Sequence, residues 1–520
     1  MSLVTPVASA ASPDALNIAD YLVARHVREG RGTRTALITS DGSITYSALD
    51  GLVNRAGNVL RSLGVAPEQR VVLLLHDGPA FYAGFLGAIK IGAVPIPLNT
   101  LLRQGDYQFM LSDSRAVAAI VSQPLVGEVL PIAHLLPCLK DVIVSGGLPH
   151  GLPSFETLID GASATLEPAD THKDDAAFWL YSSGSTGTPK GAVHLQHDII
   201  CTIEGYARGV LDMAEHDRCL SAAKLFFAYG LGNSLSFPLG LGGQAIVVAG
   251  RPAPEAMFDA IDRFQPTIFF AVPTLYGAML QVENAATRFN LSSLRFCVSA
   301  GEALPPEIFR RWHERFGLEI VDGIGSTEML HMFLSNRPGA CRAGTSGIEV
   351  PGYAAKIVGD DGVPLPADHI GTLMVSGDSA AAGYWKQHEK TKATFEGHWV
   401  NTGDKYFRDA EGYYHYCGRT DDMLKVGGIW VAPVEVENTV LAHGAVLECA
   451  VVGATDTDGL TKPKAFIVLR PGVSQTPETA RDIQAFVKSR IAPYKYPRWI
   501  EFVPELPKTA TGKIQRFRLR

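Results

Sequence analysis

The chain lacks the features that would place it in a membrane, on a nucleic acid or in an oxidising compartment. Its seven cysteines (Cys138, Cys201, Cys219, Cys297, Cys341, Cys417 and Cys449) are odd in number, widely spaced and never form CxxC. They read as reduced thiols, forming neither a disulfide framework nor a zinc site. No apolar run is long enough for a membrane span, since the stretch Thr267–Leu280 is short and broken by Pro273. The opening residues, MSLVTPVASAASPDALNIAD, have no basic n-region and no long apolar core, which argues against a signal peptide. An excess of positive charge is missing too. Forty-six Lys and Arg face 53 Asp and Glu, for a net charge of −7, so no overall field attracts a polyanion. Internal repeats and low-complexity tracts are also absent. The expectation is a cytoplasmic protein with no membrane or nucleic-acid partner.

At 520 residues the chain exceeds one ordinary core and is expected to form two or more domains. Its 52 Gly and 32 Pro are scattered, indicating tight turns instead of disorder. From Val71 onward, short apolar runs alternate with segments of helical period: Val71–Leu75 then Ala80–Ile91, Gln244–Ala249 then Pro254–Phe264, Leu294–Ser299 then Pro305–Phe316. Strand followed by helix, repeated, predicts βαβ units and parallel sheets faced by helices. Asp41-Gly42, inside Thr35–Tyr46, predicts a hairpin. After Gly418–Asp422 the pattern changes to strand, helix, strand, strand, helix, strand, and this polar junction is a suitable domain boundary. The predicted class is α/β, with a large multi-layer N-terminal domain of parallel βαβ sheets over residues 1–420 and a small α+β C-terminal domain over 421–520.

The most informative segment runs from Phe178 through Ser182, Ser183, Gly184, Ser185, Thr186, Gly187, Thr188 and Pro189 to Lys190 and Gly191. Glycines let consecutive N–H groups point inward, hydroxyls add donors, and Lys190 adds a positive charge, which together suit a polyphosphate. A flexible Ser/Gly linker is the bland alternative. The loop is not a Walker A, because Lys190 is preceded by Pro189 and followed by Gly191.

Further on, Val321–Met329 reads as a strand ending in a Gly-containing turn that carries Thr327 beside Glu328. That pair suits Mg²⁺ and a phosphate oxygen, although on its own it is also what a helix N-terminus looks like. Ser299–Pro305 ends one strand and opens a helix, exposing backbone on which a planar ring can rest. Asp404 and Arg419 lie about fifteen positions apart. The acid can accept from two ribose hydroxyls and the base can donate to ribose or phosphate, while a surface salt bridge is the ordinary reading of either. Near the end, Lys513 follows a Gly-containing turn.

Taken in order, these motifs resemble the acyl-adenylate-forming superfamily, which includes acyl-CoA synthetases, peptide-synthetase adenylation domains and beetle luciferases. The resemblance covers essentially the whole chain and is closest to benzoate–CoA ligases, through AKLFFAYGLGN at 223–233, GSTEMLHM at 325–332 and the 418–437 segment. It implies ATP, Mg²⁺ and coenzyme A as co-substrates and cofactor, and a small aromatic carboxylic acid as substrate, as in aromatic acid catabolism. It implies nucleotide contacts from Ser182, Ser183, Gly184, Ser185, Thr186 and Gly187, an adenine site from Gly301, Glu302, Ala303, Asp322 and Gly323, and ribose or phosphate contacts from Asp404 and Arg419. Thr327 is implied at the α-phosphate, Glu328 at the metal, and Lys190 and Lys513 as catalytic cations. Rotation of the C-terminal domain about a hinge at Asp421, presenting Lys425, Gly427 and Gly428 to coenzyme A, is implied for the second half-reaction.

The acid pocket implied by the resemblance comprises Ala228, Tyr229, Gly325, His331 and Met332. Where benzoate–CoA ligases carry Ile, this chain has Met332, which leaves hydroxy-, amino- and halobenzoates open. Read by themselves, Phe226, Phe227 and Tyr229 fit a core, and His331 fits a satisfied buried histidine. An enzyme loading an aryl acid onto a carrier-protein thiol would share every ATP motif. The expected assembly is a monomer or homodimer.

Overall fold

The computed structural model describes residues 12–147, 151–182, 189–420, 422–426, 429–457, 460–508 and 514–520. The fold is mixed α/β, with parallel sheets through the first four-fifths of the chain. Four apolar runs form one parallel sheet: β1 (Arg70–Leu74), β2 (Val94–Pro97), β3 (Ala118–Ser122) and β4 (Asp141–Ser145), in the order β2-β1-β3-β4. They are apolar along most of their length because helices cover such sheets on both faces. The helix Pro79–Lys90 returns the chain from β1 to β2 with Pro79 in its first turn. It meets the helix Tyr46–Ser62 at Gly87, where a Cβ would lie 2.8 Å from the Gly57 nitrogen, so glycine is what permits the approach.

Next comes an antiparallel hairpin, β5 (Ala176–Ser182) and β6 (Lys190–Leu195), in which Ser182 faces Lys190 across the pair. A sheet of nine strands among the described residues follows, parallel through its middle from Thr35–Thr39 by way of Gln244–Ile246, Arg218–Ser221, Ile268–Ala271 and Phe296–Ser299 to β7 (Ile320–Gly325). β8 (Met332–Ser335) turns back antiparallel to β7. The predicted hairpin at Asp41-Gly42 forms the opposite antiparallel edge. β9 (Gly383–Tyr384) then adds to β6 as a third strand, and β10 (Trp399–Arg408) pairs with β11 (Tyr414–Arg419).

Beyond β11 the chain builds a separate core from Val431, Val436, Val440, Val451, Ile467, Ile483 and Val487. The sequence reading of a single opening strand needs correction here: two short strands, Leu424–Val426 and Ile429–Val431, pair antiparallel before the helix Pro433–Leu441. Leu424, Val426 and Val431 all enter the same core, so the alternation belongs to a ribbon and not to one strand. The strands Val446–Thr455, Thr461–Leu469 and Trp499–Phe502 form the remaining sheet, with the helix Pro477–Lys488 between the last two.

The C-terminal tail is fastened to this unit through Glu437. Its buried carboxylate accepts from Arg516 Nε at 3.0 Å and Nη2 at 2.8 Å, and from the Val451 N–H at 2.8 Å. The Glu437 carboxylate holds the Arg516 guanidinium above its ordinary pKa. Replacing Glu437 with Gln leaves a largely buried guanidinium without its counter-charge and is expected to cost about 2–3 kcal/mol in urea denaturation. An unchanged midpoint would show that the pair is worth no more than a surface salt bridge.

Candidate active site

Three segments distant in sequence converge on one pair of opposite charges. Lys190 begins β6, Glu328 sits in the turn between β7 and β8, and Tyr384 ends β9. The Tyr384 hydroxyl donates to Glu328 Oε1 at 2.7 Å and accepts from Lys190 Nζ at 3.1 Å. The ammonium lies 4.4 Å from the centre of the Tyr384 ring and 3.7 Å from Glu328 Oε1. Burial holds Lys190 below its ordinary pKa, partly offset by the Glu328 carboxylate.

The turn is held from both sides. The Ala381 N–H donates to the Glu328 carbonyl at 2.8 Å, and Ser379 Oγ donates to the Met329 carbonyl at 2.8 Å. His194, fully buried, lies 2.8 Å from the Thr327 carbonyl through Nε2 and 2.7 Å from Asp198 Oδ2 through Nδ1. Residues 326–331 form a turn, with Leu330 at a φ of +64°, so the helix-N-terminus reading of Thr327-Glu328 does not apply.

Among the residues expected at the nucleotide, Asp322 is a register partner of Ser299 on the adjacent parallel strand. Gly301, at a φ of +91°, turns the chain toward the helix Pro306–Phe316, which places Glu302 and Ala303 in the connecting turn. Asp322 is buried and accepts a hydrogen bond from the Leu304 N–H at 3.4 Å. Burial pushes its carboxyl up to about 8. Gly323 and Gly325 have no room for a side chain. A Cβ on Gly323 would lie 2.7 Å from Met332 Sδ, and one on Gly325 would lie 2.4 Å from the His331 carbonyl oxygen. Asp404 and Arg419 are register partners on β10 and β11, joined at 3.0 Å. Arg419 also donates to the Thr402 carbonyl at 2.9 Å. The carboxylate is 11% exposed and the guanidinium 46%, so the ordinary salt bridge is formed and still faces outward.

The pocket residues cluster around His331. The rings of Tyr206, Tyr229 and Phe237 lie 5.2, 5.6 and 4.5 Å from its imidazole. Gly232 admits the ring, since a Cβ there would sit 2.3 Å from His331 Cδ2. Tyr229 is fixed by donating to the Val298 carbonyl at 3.2 Å, and it adjoins Ala228 at the start of a short helical turn. His331 Nε2 lies 3.1 Å from Asn233 Oδ1, while His331 Nδ1 and Asn233 Nδ2 are buried with no hydrogen-bond partner among the described residues. His331 is therefore not the fully satisfied histidine of the bland reading. Burial depresses its pKa to about 3, so the imidazole is neutral at physiological pH. Met332, next in the chain, is buried; Phe226 is also buried, whereas Phe227 is only half-buried.

Of the nucleotide-loop residues, Ser182 ends β5 with its hydroxyl buried and without a partner among the described residues. Ser183, Gly184, Ser185, Thr186, Gly187, Asp421, Gly427, Gly428 and Lys513 lie outside the described residues, and of Lys425 only the backbone, paired with Trp430, is described. The residue after Lys513 is described: the Ile514 N–H donates to Glu302 Oε1 at 3.0 Å, bringing the tail to the turn after Gly301. Sequence reasoning missed Tyr384, His194, Asp198, Asn233 and Tyr206. Only His194 and Asp198 carried a signal, their spacing of four, and it was weak.

No group of three or more His, Cys, Asp or Glu able to hold a metal occurs among the described residues. Glu328 alone still fits Mg²⁺, which is bound through one or two carboxylates together with substrate phosphates and water. A single carboxylate held from behind by a phenol is such a donor.

A β-hairpin flanking the Ser/Gly-rich segment, the turn carrying Glu328 and the Asp404–Arg419 pair on adjoining strands lie in the order expected of an adenylate-forming enzyme. Residues 23–385 match the AMP-binding enzyme model and residues 435–513 the AMP-binding enzyme C-terminal domain. The chain belongs to the AMP-binding enzyme family. It is similar to the benzoate–CoA ligase of Thauera aromatica, at 53% identity over 98% of this chain and 96% of that protein. It is also similar to the 4-hydroxybenzoate–CoA/benzoate–CoA ligase of Rhodopseudomonas palustris, at 46% identity over 97% and 94%. Among solved structures, the anthranilate CoA ligase AuaEII in complex with anthranoyl-AMP superposes with a TM-score of 0.94 at 45% identity, covering 98% of this chain and 97% of that one. A benzoate CoA ligase from Burkholderia xenovorans LB400 superposes at 0.91 with 48% identity, covering 97% and 100%.

The raised pKa of Asp322 has a signed consequence. Between the ordinary value of 3.8 and about 8, the folded protein keeps a proton that the unfolded chain has released. This stabilising contribution is complete below the lower value and is lost as pH rises through the upper one, with a slope of up to about 1.4 kcal/mol per pH unit. Asp322→Asn is expected to flatten the decline of stability between pH 5 and pH 8, measured by urea denaturation at each pH. Parallel curves for the two proteins would mean that Asp322 is ionised in the folded state.

Proposed function

We propose that this enzyme joins benzoate, or a close substituted benzoate, to coenzyme A through an enzyme-bound acyl-AMP, releasing AMP and pyrophosphate. The observation that carries this reading is one short turn. Thr327 and Glu328, the residues expected at the phosphates, and His331, ringed by Tyr206, Tyr229 and Phe237, lie within five residues of each other between β7 and β8. A phosphate and a flat acid can thereby be brought together by one rigid element. Relatives matched over nearly the whole chain carry benzoate–CoA ligase names, which supports the same substrate class.

A carboxylate is a poor acyl donor because its leaving group would be an oxide. The substrate carboxylate attacks the α-phosphorus of ATP, the bond to pyrophosphate breaks, and the acyl-AMP formed has a phosphate as leaving group. No base is needed, since the acid is already ionised. Lys190 and Lys513 neutralise developing charge on the phosphates, Thr327 orients the α-phosphate, and Asp322 and Glu302 flank the adenine. Mg²⁺ on Glu328 would add charge neutralisation at the departing pyrophosphate. The coenzyme A sulfur then attacks the acyl carbonyl, the bond to AMP breaks, and the thiol proton is released to solvent. In this reading the C-terminal unit turns about Asp421 between the steps, exposing Lys425, Gly427 and Gly428 to pantetheine.

In the pocket, neutral His331 and the amide of Asn233 offer polar atoms within aromatic walls, so a hydroxyl or amino group on the ring has partners there. Met332, unbranched and flexible, adapts to such substituents. The test is acid-dependent conversion of ATP to AMP with benzoate, 4-hydroxybenzoate, 2-aminobenzoate, cyclohexanecarboxylate and octanoate, with and without coenzyme A. Turnover requiring benzoate-type acids and coenzyme A, with octanoate inert, is expected. Adenylate without thioester would move the acceptor to a carrier-protein thiol, and an absence of AMP from every acid would overturn the reading.

A further inference from the structure

Tyr384 belongs to none of the motifs that carry the reaction, yet it touches two of their charged groups. Its backbone is immobilised by β-pairing with Ala192 on β6 and by a hydrogen bond from its N–H to Thr391 Oγ1 at 3.0 Å. The ring is buried edge-on against Phe395, with centroids 5.4 Å apart. The phenol can therefore move little, and it reaches the site with both hydrogen-bonding capacities engaged, donating to Glu328 and accepting from Lys190. The same short segment also secures Glu328 through the Ala381 N–H, so one element fixes that residue at its carbonyl and at its carboxylate.

We propose that Tyr384 is a positioning residue for the adenylation half-reaction, a fixed spacer that holds the Lys190–Glu328 ion pair open at 3.7 Å, short of direct hydrogen-bond contact, and presents both groups to the nucleotide and its metal. The inference rests on the acyl-AMP reading above. Without the hydroxyl, nothing in the bridge keeps ammonium and carboxylate at 3.7 Å. Direct contact would satisfy each charge with the other, at the expense of phosphate and Mg²⁺. The second half-reaction, in which the phosphoryl transfer is already complete, does not need the spacing.

Tyr384→Phe keeps the ring and removes the bridge. Isothermal calorimetry of ATP binding with and without Mg²⁺, in the absence of any acid, is the primary readout. The tightening that Mg²⁺ gives the wild type is expected to fall about tenfold in the variant, the size of one lost hydrogen bond to a charged group. ATP–pyrophosphate exchange should weaken similarly, while thioester formation from supplied benzoyl-AMP stays within about twofold and the melting temperature is retained. In a Glu328→Gln background, adding Tyr384→Phe should cost no further Mg²⁺ tightening, because the pair acts as a unit. Additive losses, equal losses in both half-reactions with a lowered melting temperature, or unchanged Mg²⁺ tightening would each overturn the proposal. A wild type with no acid-dependent exchange would instead count against the acyl-AMP reading, leaving the calorimetry to decide on Tyr384.

Discussion

An ammonium and a carboxylate that both serve a polyphosphate must stand close together without neutralising each other. In this protein the Tyr384 phenol bridges such a pair, and in the proposed reading much of the fold around it serves to hold that arrangement. Lys190 is fixed by the β5–β6 hairpin, Tyr384 by its pairing to β6, and Glu328 by a turn tied at Thr327 to β6 and at Glu328 and Met329 to the segment just before β9. In a partly buried site a displaced charge is not screened as it would be in water, so positional error is costly. Short β elements with few rotatable connections are a physical answer to that demand.

The same turn imposes the glycines around it. β7 and β8 approach so closely at their open end that neither Gly323 nor Gly325 can carry a Cβ, because the backbone of His331 and the sulfur of Met332 already occupy the space. In the proposed function, that close approach lets the carboxylate of Glu328 and the imidazole of His331 be neighbours in sequence yet serve different substrates. Burial does the rest for His331. An imidazole kept neutral can exchange hydrogen bonds with an acid or a ring substituent without adding a second positive charge near Lys190.

Much of this was legible in the sequence. The alternation of apolar runs with helical segments gave the parallel sheets, because a fully covered strand reads as an unbroken apolar run and cannot easily be mistaken for a half-exposed one. The Ser182–Lys190, Thr327-Glu328 and Asp404/Arg419 segments stood out because phosphate and ribose chemistry demands unusual residue types in tight spacing. Tyr384 did not stand out, since a lone Gly-Tyr-Trp has no spacing that distinguishes a positioning phenol from a core ring, and its partners lie 56 and 194 residues away. Asn233 escaped for a similar reason: it matters only once His331, 98 positions on, is packed beside it. The opening ribbon of the C-terminal unit was read as one strand because its two halves are each only three residues long.

The unequal strength of two contacts bears on how the C-terminal unit can move in the proposed cycle. Inside the unit, the tail is held by the Glu437–Arg516 pair, two charge-assisted hydrogen bonds to a buried carboxylate. Between the tail and the turn after Gly301, the Ile514 N–H donates a part-buried hydrogen bond to Glu302. A single hydrogen bond of that kind has a net worth of about 1 kcal/mol, because water replaces it readily, whereas breaking the internal pair strands a charge. When the unit turns, the contact at Glu302 is therefore the one that yields, and the tail travels with its own domain. In the proposed cycle the same movement would carry Lys513, one residue before Ile514, away from the acyl carbonyl and so open it to the thiol.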